Sequence, residues 1–316
     1  MVYRSLRPVQ KLRPDHDNAR VVLSGVLLAA VGWATLAAGL LACGSGSGEG
    51  SRPAASAPLA APGVQEQAAV KAVSGGAVHD VTYDSAGRKV KAYLLVPDGS
   101  GPFCAVLFAH WYTGRNGAGR SEFLEEATSL LQLGVVSLLP QGEFPWNEDP
   151  SGVTHDQAAI ATQVADLKAG VDVLLEQRGV DAARVALVGH DYGAMHGALL
   201  LASDSRLKGG ALMAADAHWV TWFGQYWSFL KTDAQKTEYA RQMAVLDTVA
   251  VLPRVHSTLL LQFGDHDVYI PKPVAEQVAA AAPVQKTVLF YDSDHELNAT
   301  AVADRRTWLR TLLGLA

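Results

Sequence analysis

The stretch Arg184-Val-Ala-Leu-Val-Gly-His-Asp-Tyr-Gly-Ala-Met-His-Gly197 constrains the fold more than any other part of the chain. Residues 184–189 form a short apolar run, as expected of a strand buried on both faces. Residues 194–202 read as a helix with small residues, Ala194, Gly197 and Ala198, on one side. Between them the chain must turn sharply within Gly189-His190-Asp191-Tyr192-Gly193. A G-x-Nu-x-G turn of this kind strains its central residue and pushes it into solvent at the top of a sheet. The two glycines are needed where strand and helix approach too closely for side chains. The helix start adds backbone N–H groups and the positive end of a dipole. The residue at the apex, the candidate nucleophile, is an aspartate, Asp191.

The flanking sequence repeats the strand-then-helix rhythm. Strands are expected at 89–96, 104–109, 135–139, 210–214, 258–263 and 287–291, and helices at 121–133, 157–177, 274–281 and 299–315. Such alternation implies an α/β domain with a mostly parallel sheet and helices on both faces. Ligands of these sheets sit beyond the carboxyl ends of the strands. Every chemical candidate falls at such an end. There is no repeat of solenoid period.

From 95 to 313 the pattern resembles the α/β-hydrolase superfamily. The layout, with a short cap after the sixth strand at about 216–252, is similar to dienelactone hydrolases and related esterases. Gly-His-Asp-aromatic-Gly instead resembles haloalkane dehalogenases and epoxide hydrolases. The resemblance implies a triad in the order nucleophile, acid, histidine. Asp267, in Gly264-Asp-His-Asp-Val-Tyr-Ile-Pro271, takes the acid position, with Asp265 as the rival. His295, in Tyr291-Asp-Ser-Asp-His295 after the last strand, takes the histidine position. The loop Ala109-His-Trp-Tyr-Thr-Gly114 follows an early strand and carries Trp111 where the superfamily usually has glycine. The N–H groups of Trp111 and Tyr192 are the expected oxyanion donors. His110, Tyr112, Trp219, Trp222 and Tyr226 are expected to line the substrate pocket.

An aspartate nucleophile is already ionised near neutral pH and needs no base before attack. Its attack on a carbon bearing a halide or an epoxide oxygen gives an alkyl ester on Asp191. His295, held by Asp267, would then activate water to release it. The expected function is therefore a hydrolase of small organic substrates. One alternative is a carboxylic ester hydrolase of the dienelactone type. Another is a tethered, non-catalytic binding protein. Two departures bear on the first reading. Tyr192 stands where dehalogenases usually hold the halide with tryptophan, and the cap is short.

The first 43 residues carry a different message. Arg4, Arg7, Lys11, Arg13 and Arg20 precede an apolar run from 21 to 42, which ends Leu40-Leu-Ala-Cys43. Basic segment, apolar segment and small residues at a cut site make a secretory signal. Leu-Leu-Ala-Cys resembles the lipobox of bacterial lipoproteins, implying cleavage before Cys43 and lipidation of its thiol. The alternative is an uncleaved membrane anchor. Either places the domain outside the cytoplasm, tethered to the cell envelope. Residues 44–65, rich in Gly, Ser, Ala and Pro, read as a flexible tether, and 66–316 as the catalytic domain. Two cysteines give no disulfide framework, and Cys104 reads as a core thiol. The formal net charge of -5 gives no push toward nucleic acid. No metal-ligand spacing or phosphate-binding loop is present, so no cofactor is implied.

Overall fold

A computed structural model describes residues 63–315 apart from 69, 113 and 115–118. The signal and lipidation expectations at 1–43, Cys43 included, and nearly all of the tether lie outside the described residues.

Ten strands form one sheet: β1 (Gln65–Glu66), β2 (Lys71–Val73), β3 (Gly76–Ser85), β4 (Arg88–Pro97), β5 (Phe103–Ala109), β6 (Val135–Pro140), β7 (Val180–His190), β8 (Gly209–Met213), β9 (Thr258–Gly264) and β10 (Lys286–Tyr291). Their order is β1-β3-β4-β6-β5-β7-β8-β9-β10, with β2 also paired to β3. From β6 to β10 all neighbours are parallel, and β3 and β4 join antiparallel. The all-buried sequences of β5, β6 and β8 follow from that position, because helices cover both faces of the parallel part.

The β1–β3 edge was not read from the sequence. In β3, Val81 and Tyr83 are fully buried, yet His79 and Asp80 interrupt the apolar alternation. Each polar residue has its own partner. His79 Nδ1 meets Glu66 at 2.7 Å, and Arg120 donates to Asp80 at 2.8 and 3.1 Å. Asp80 is half-buried with both oxygens paired, whereas His79 is buried with its Nδ1 paired and its Nε2 without a partner.

Eight α-helices complete the domain among the described residues: α1 (Leu124–Leu131), α2 (Val153–Leu175), α3 (Tyr192–Ser203), α4 (Trp219–Tyr226), α5 (Asp233–Met243), α6 (Thr248–Val251), α7 (Lys272–Ala281) and α8 (Ala299–Leu313). Arg305 on α8 is buried and clamps three elements. It donates to both carboxylate oxygens of Glu126 on α1 and to Gln262 Oε1 on β9. A bidentate arginine pair of this kind loses little when water is excluded, since its donors remain satisfied.

Helices α4, α5 and α6 form the cap. Its docking combines apolar packing with polar bonds, from Trp227 Nε1 to Asp149, from Gln157 to the Gln242 carbonyl oxygen, and at the buried carboxylate of Asp156 near the start of α2. Asp156 accepts from the N–H groups of Ser151 and Gly152 and from the Tyr239 hydroxyl at 2.6 Å. Tyr239 on α5 thereby ties cap to body. The capping box of Thr232 and Gln235 starts that helix.

Candidate active site

The elbow sits between β7 and α3, as its glycines require. Asp191 has φ 57° and ψ -123°, a strained backbone for a residue with a side chain. Two carbonyl-bonded N–H groups, of Ala194 and Met195, close the first turn of α3 onto the Asp191 carbonyl. A Cβ on Gly193 would stand 2.1 Å from the Ala109 carbonyl oxygen, so β5 and α3 touch backbone to backbone there.

Three loops at the carboxyl ends of β5, β9 and β10 converge on Asp191. His295 Nε2 lies 4.0 Å from Asp191 Oδ2, and His295 Nδ1 lies 2.8 Å from Asp267 Oδ2. The other Asp267 oxygen accepts the N–H groups of Tyr269 and Ile270 at 2.7 and 3.0 Å. Its own loop thus fixes one oxygen of Asp267 and leaves the other to His295. Asp265, the rival, faces outward and takes Lys272 Nζ at 3.1 Å. All three residues are buried: Asp191 and Asp267 are 6% exposed and His295 8%.

The electrostatics follow from this packing. Burial alone would discharge His295, yet the carboxylates of Asp191 and Asp267 outweigh it and lift its pKa to about 10. Burial likewise opposes the charge on Asp267, and its bond to His295 more than compensates, holding its carboxyl below the usual range. The two neighbouring carboxylates thus favour the protonated form of His295.

The oxyanion loop differs from the sequence expectation. The Trp111 N–H donates to Glu122 Oε2 at 2.6 Å and is not aimed at Asp191. The next N–H, of Tyr112, donates to Asp191 Oδ2 at 2.8 Å. One residue's difference reverses an amide's direction along an extended loop, which explains the displacement. Tyr192 is the first residue of α3, next to the apex, and a helix-start N–H has no intrahelical partner.

Sequence reasoning missed Glu122. Its carboxylate takes the Trp111 N–H with one oxygen and His190 Nδ1 with the other, both at 2.6 Å. His190 Nε2 in turn faces the His295 carbonyl oxygen at 3.0 Å. The Trp111 ring stacks on His190, with centroids 5.3 Å apart. Glu122 therefore joins the oxyanion loop to the histidine loop through the elbow. No sequence signal marks it, because its partners are distant along the chain.

The expected pocket residues divide. His110 is buried: Gly142 N–H donates to its Nε2, and its Nδ1 bonds the Trp111 carbonyl oxygen. It shapes the oxyanion loop and borders a small cavity with Trp146, Gln163 and His196. Trp219 is 1% exposed, with its indole N–H on the Leu246 carbonyl oxygen, and belongs to the cap interior. Tyr112 and Trp222 pack near the apex. Trp222 sets its ring edge toward His295 at 6.3 Å, and Tyr112 meets Tyr192 at 5.9 Å. Tyr226 is half-exposed at the rim, 6.3 Å from Tyr269, which the sequence reading did not include.

Strand order, elbow and the acid–histidine pair together define a hydrolase of the α/β-hydrolase superfamily. The comparisons agree with that class. The profile of the prolyl oligopeptidase family matches residues 157–313, from α2 to the end of α8. The usual triad of that family is serine, aspartate and histidine. Acetyl xylan esterase 1 from Thermoanaerobacterium sp. JW/SL YS485 superposes with a TM-score of 0.63 at 16% identity, covering 80% of this chain and 88% of that one. A cold-adapted esterase from an Arctic intertidal metagenomic library gives 0.59 at 18% identity, covering 79% and 99%. A dienelactone hydrolase candidate from Klebsiella pneumoniae subsp. pneumoniae MGH 78578 gives 0.53 at 16% identity, covering 73% and 95%. At such identities the shared property is the fold. No curated protein sequence matches the chain.

Proposed function

We propose that the chain hydrolyses a small organic substrate through a covalent ester on Asp191. The observation that carries this reading is the geometry of the apex: Asp191 occupies the elbow, His295 Nε2 lies 4.0 Å from its Oδ2, and Asp267 holds the far side of that histidine at 2.8 Å. A serine triad needs a neutral histidine before the first step. Here the first step needs none. Asp191 attacks a carbon of the substrate, an Asp191–carbon bond forms, and the bond to the leaving group breaks. A leaving oxygen takes the His295 proton, and a leaving halide departs as the anion while that proton passes to solvent.

Ester formation removes the Asp191 charge. The largest support for the imidazolium disappears, and His295, now neutral, can take a proton from water. The hydroxide adds to the Asp191 ester carbonyl. The N–H groups of Tyr112 and Tyr192 support the oxyanion that develops. Collapse releases the alcohol, protonated by His295, and leaves Asp191 as the carboxylic acid, whose proton passes to the now neutral His295 and restores the carboxylate and imidazolium.

The esterase names of the fold neighbours favour a second reading, hydrolysis of a carboxylic ester. Attack by Asp191 on an acyl carbon would give an anhydride, and the same histidine would hydrolyse it. A trapping experiment tests the covalent step. In a His295→Gln variant, the intact mass should rise by the substrate alkyl or acyl group and stay raised. The two masses distinguish the two readings. With a halide or nitrophenolate leaving group, which needs no proton from His295, an active wild-type enzyme whose variant never accumulates an adduct at Asp191 rules out both.

A further inference from the structure

Glu122 stands outside the triad, yet it is bonded to both loops that meet at Asp191. Its own backbone is held first. The Glu122 N–H donates to the Gly119 carbonyl oxygen at 3.0 Å, and α1 begins two residues later at Leu124. The Glu122 side chain is 16% exposed and that of His190 3%, so the bond between them is shielded from water. The neighbouring arginines are committed elsewhere, Arg120 to Asp80 and Arg305 to Glu126.

Two bonded paths leave the carboxylate. Along the first, Oε2 accepts the Trp111 N–H at 2.6 Å, and the next amide, that of Tyr112, faces Asp191 Oδ2 at 2.8 Å. Along the second, Oε1 meets His190 Nδ1 at 2.6 Å, and His190 Nε2 meets the carbonyl oxygen of His295 at 3.0 Å. A carbonyl oxygen only accepts, so Nε2 carries a proton. A carboxylate oxygen and a ring nitrogen need one more proton between them. The rings of Trp111, His190 and His295 lie against one another, with centroids 5.2, 5.3 and 6.3 Å apart. A shift of one is therefore felt by the other two.

We propose that Glu122 is a positioning residue for hydrolysis of the Asp191 ester: through Trp111 it aims the Tyr112 N–H at the oxyanion, and through His190 it holds His295 in place. Both groups work in that step. The oxyanion of an alkyl ester forms only there, so a donor turned away costs more in hydrolysis than in the first attack. His295 takes the water proton there, and a displacement of about 1 Å can cost ~100-fold in rate. Glu122 is needed for its pattern of bonds. In Glu122→Gln the amide oxygen can accept the Trp111 N–H, and the amide N–H can donate to His190 Nδ1 while Nε2–H still reaches His295. Glu122→Leu cuts both paths, and His190→Phe cuts the second alone. This role presumes Asp191 as the reacting centre, yet its first readouts need no turnover, so either can fail without the other.

Amide hydrogen exchange at Tyr112 and ring NMR of His190 and His295 read the two paths in the resting full chain. The wild type and Glu122→Gln should both protect the Tyr112 amide and carry a proton on His190 Nε2. In Glu122→Leu the Tyr112 amide should exchange at least about tenfold faster. In His190→Phe that amide should stay protected while the His295 ring signals broaden. With 1-bromobutane as the probe, butanol release should slow by about 10- to 100-fold in Glu122→Leu, with a butyl adduct building up on Asp191, and by less than about threefold in Glu122→Gln. Unchanged Tyr112 exchange in a folded Glu122→Leu protein would overturn the proposal. So would a Glu122→Gln variant as impaired as Glu122→Leu. If Glu122→Leu does not fold, His190→Phe decides: a His295 ring as ordered as in the wild type overturns it. Absence of any butyl adduct in His295→Gln as well would count against the covalent reading and leave the exchange and ring signals to judge Glu122.

Discussion

Replacing Asp191 by asparagine should lower kcat by about 10⁴-fold or more while leaving the protein folded. Asparagine tolerates positive φ at least as well as aspartate, so the elbow backbone at φ 57° is retained. Its amide oxygen can still accept the Tyr112 N–H that Asp191 Oδ2 accepts at 2.8 Å. What is lost is the negative charge and the nucleophile. His295 loses one of the two carboxylates that raise its pKa to about 10, so its ring should titrate at lower pH in the variant. The consequence for stability has a definite sign. A histidine raised in the folded state from its ordinary value near 6.5 stabilises the fold fully below about pH 6.5, and that contribution is lost as pH climbs through about 10. In Asp191→Asn the loss should begin at lower pH. Ring NMR and denaturation across pH 6 to 11 measure both effects. An unchanged His295 titration would show that Asp191 does not control the imidazole.

Gly193→Ala should destabilise the protein by about 3 kcal/mol or more and abolish activity. A Cβ there would stand 2.1 Å from the Ala109 carbonyl oxygen, 2.5 Å from its carbon and 2.6 Å from the His110 carbonyl oxygen. All three are backbone atoms. Those of Ala109 sit in β5, a fully buried strand paired on both sides, and cannot retreat as a side chain could. Relief requires α3 to move away from β5, which shifts Asp191 and the Tyr192 N–H away from Tyr112. Urea denaturation and an activity assay on the same preparation check it. A variant with wild-type stability would mean that the elbow is looser than this packing implies.

These two effects also show what the sequence could and could not carry. The elbow was legible because its chemistry is local: two glycines, a buried strand and a small-residue helix lie within 14 consecutive residues, 184–197. The alternation of strands and helices gave the parallel sheet for the same reason. The order of acid and histidine along the chain followed from the family resemblance. Only the structure separates Asp267 from Asp265, because the difference lies in the direction of the Tyr269 and Ile270 amides. Trp111 was expected as an oxyanion donor. Its N–H is claimed by Glu122, a residue that composition and spacing give no reason to notice. The aromatic cap posed the opposite difficulty. Trp219 and Trp222 are three residues apart on α4, yet the first is packed in the cap with its N–H satisfied and the second faces His295. Sequence spacing cannot divide core from pocket along one buried helix face, where both residues carry the same apolar signal.

The account turns on whether the bond to Asp191 forms and is broken by water at the aspartate carbon. A single turnover in heavy-oxygen water measures this directly. With enzyme in excess over substrate, the account predicts that heavy oxygen enters the Asp191 carboxylate, found by mass spectrometry of the peptide spanning the elbow. Heavy oxygen appearing only in the released product, with Asp191 unlabelled after repeated turnovers, would contradict it.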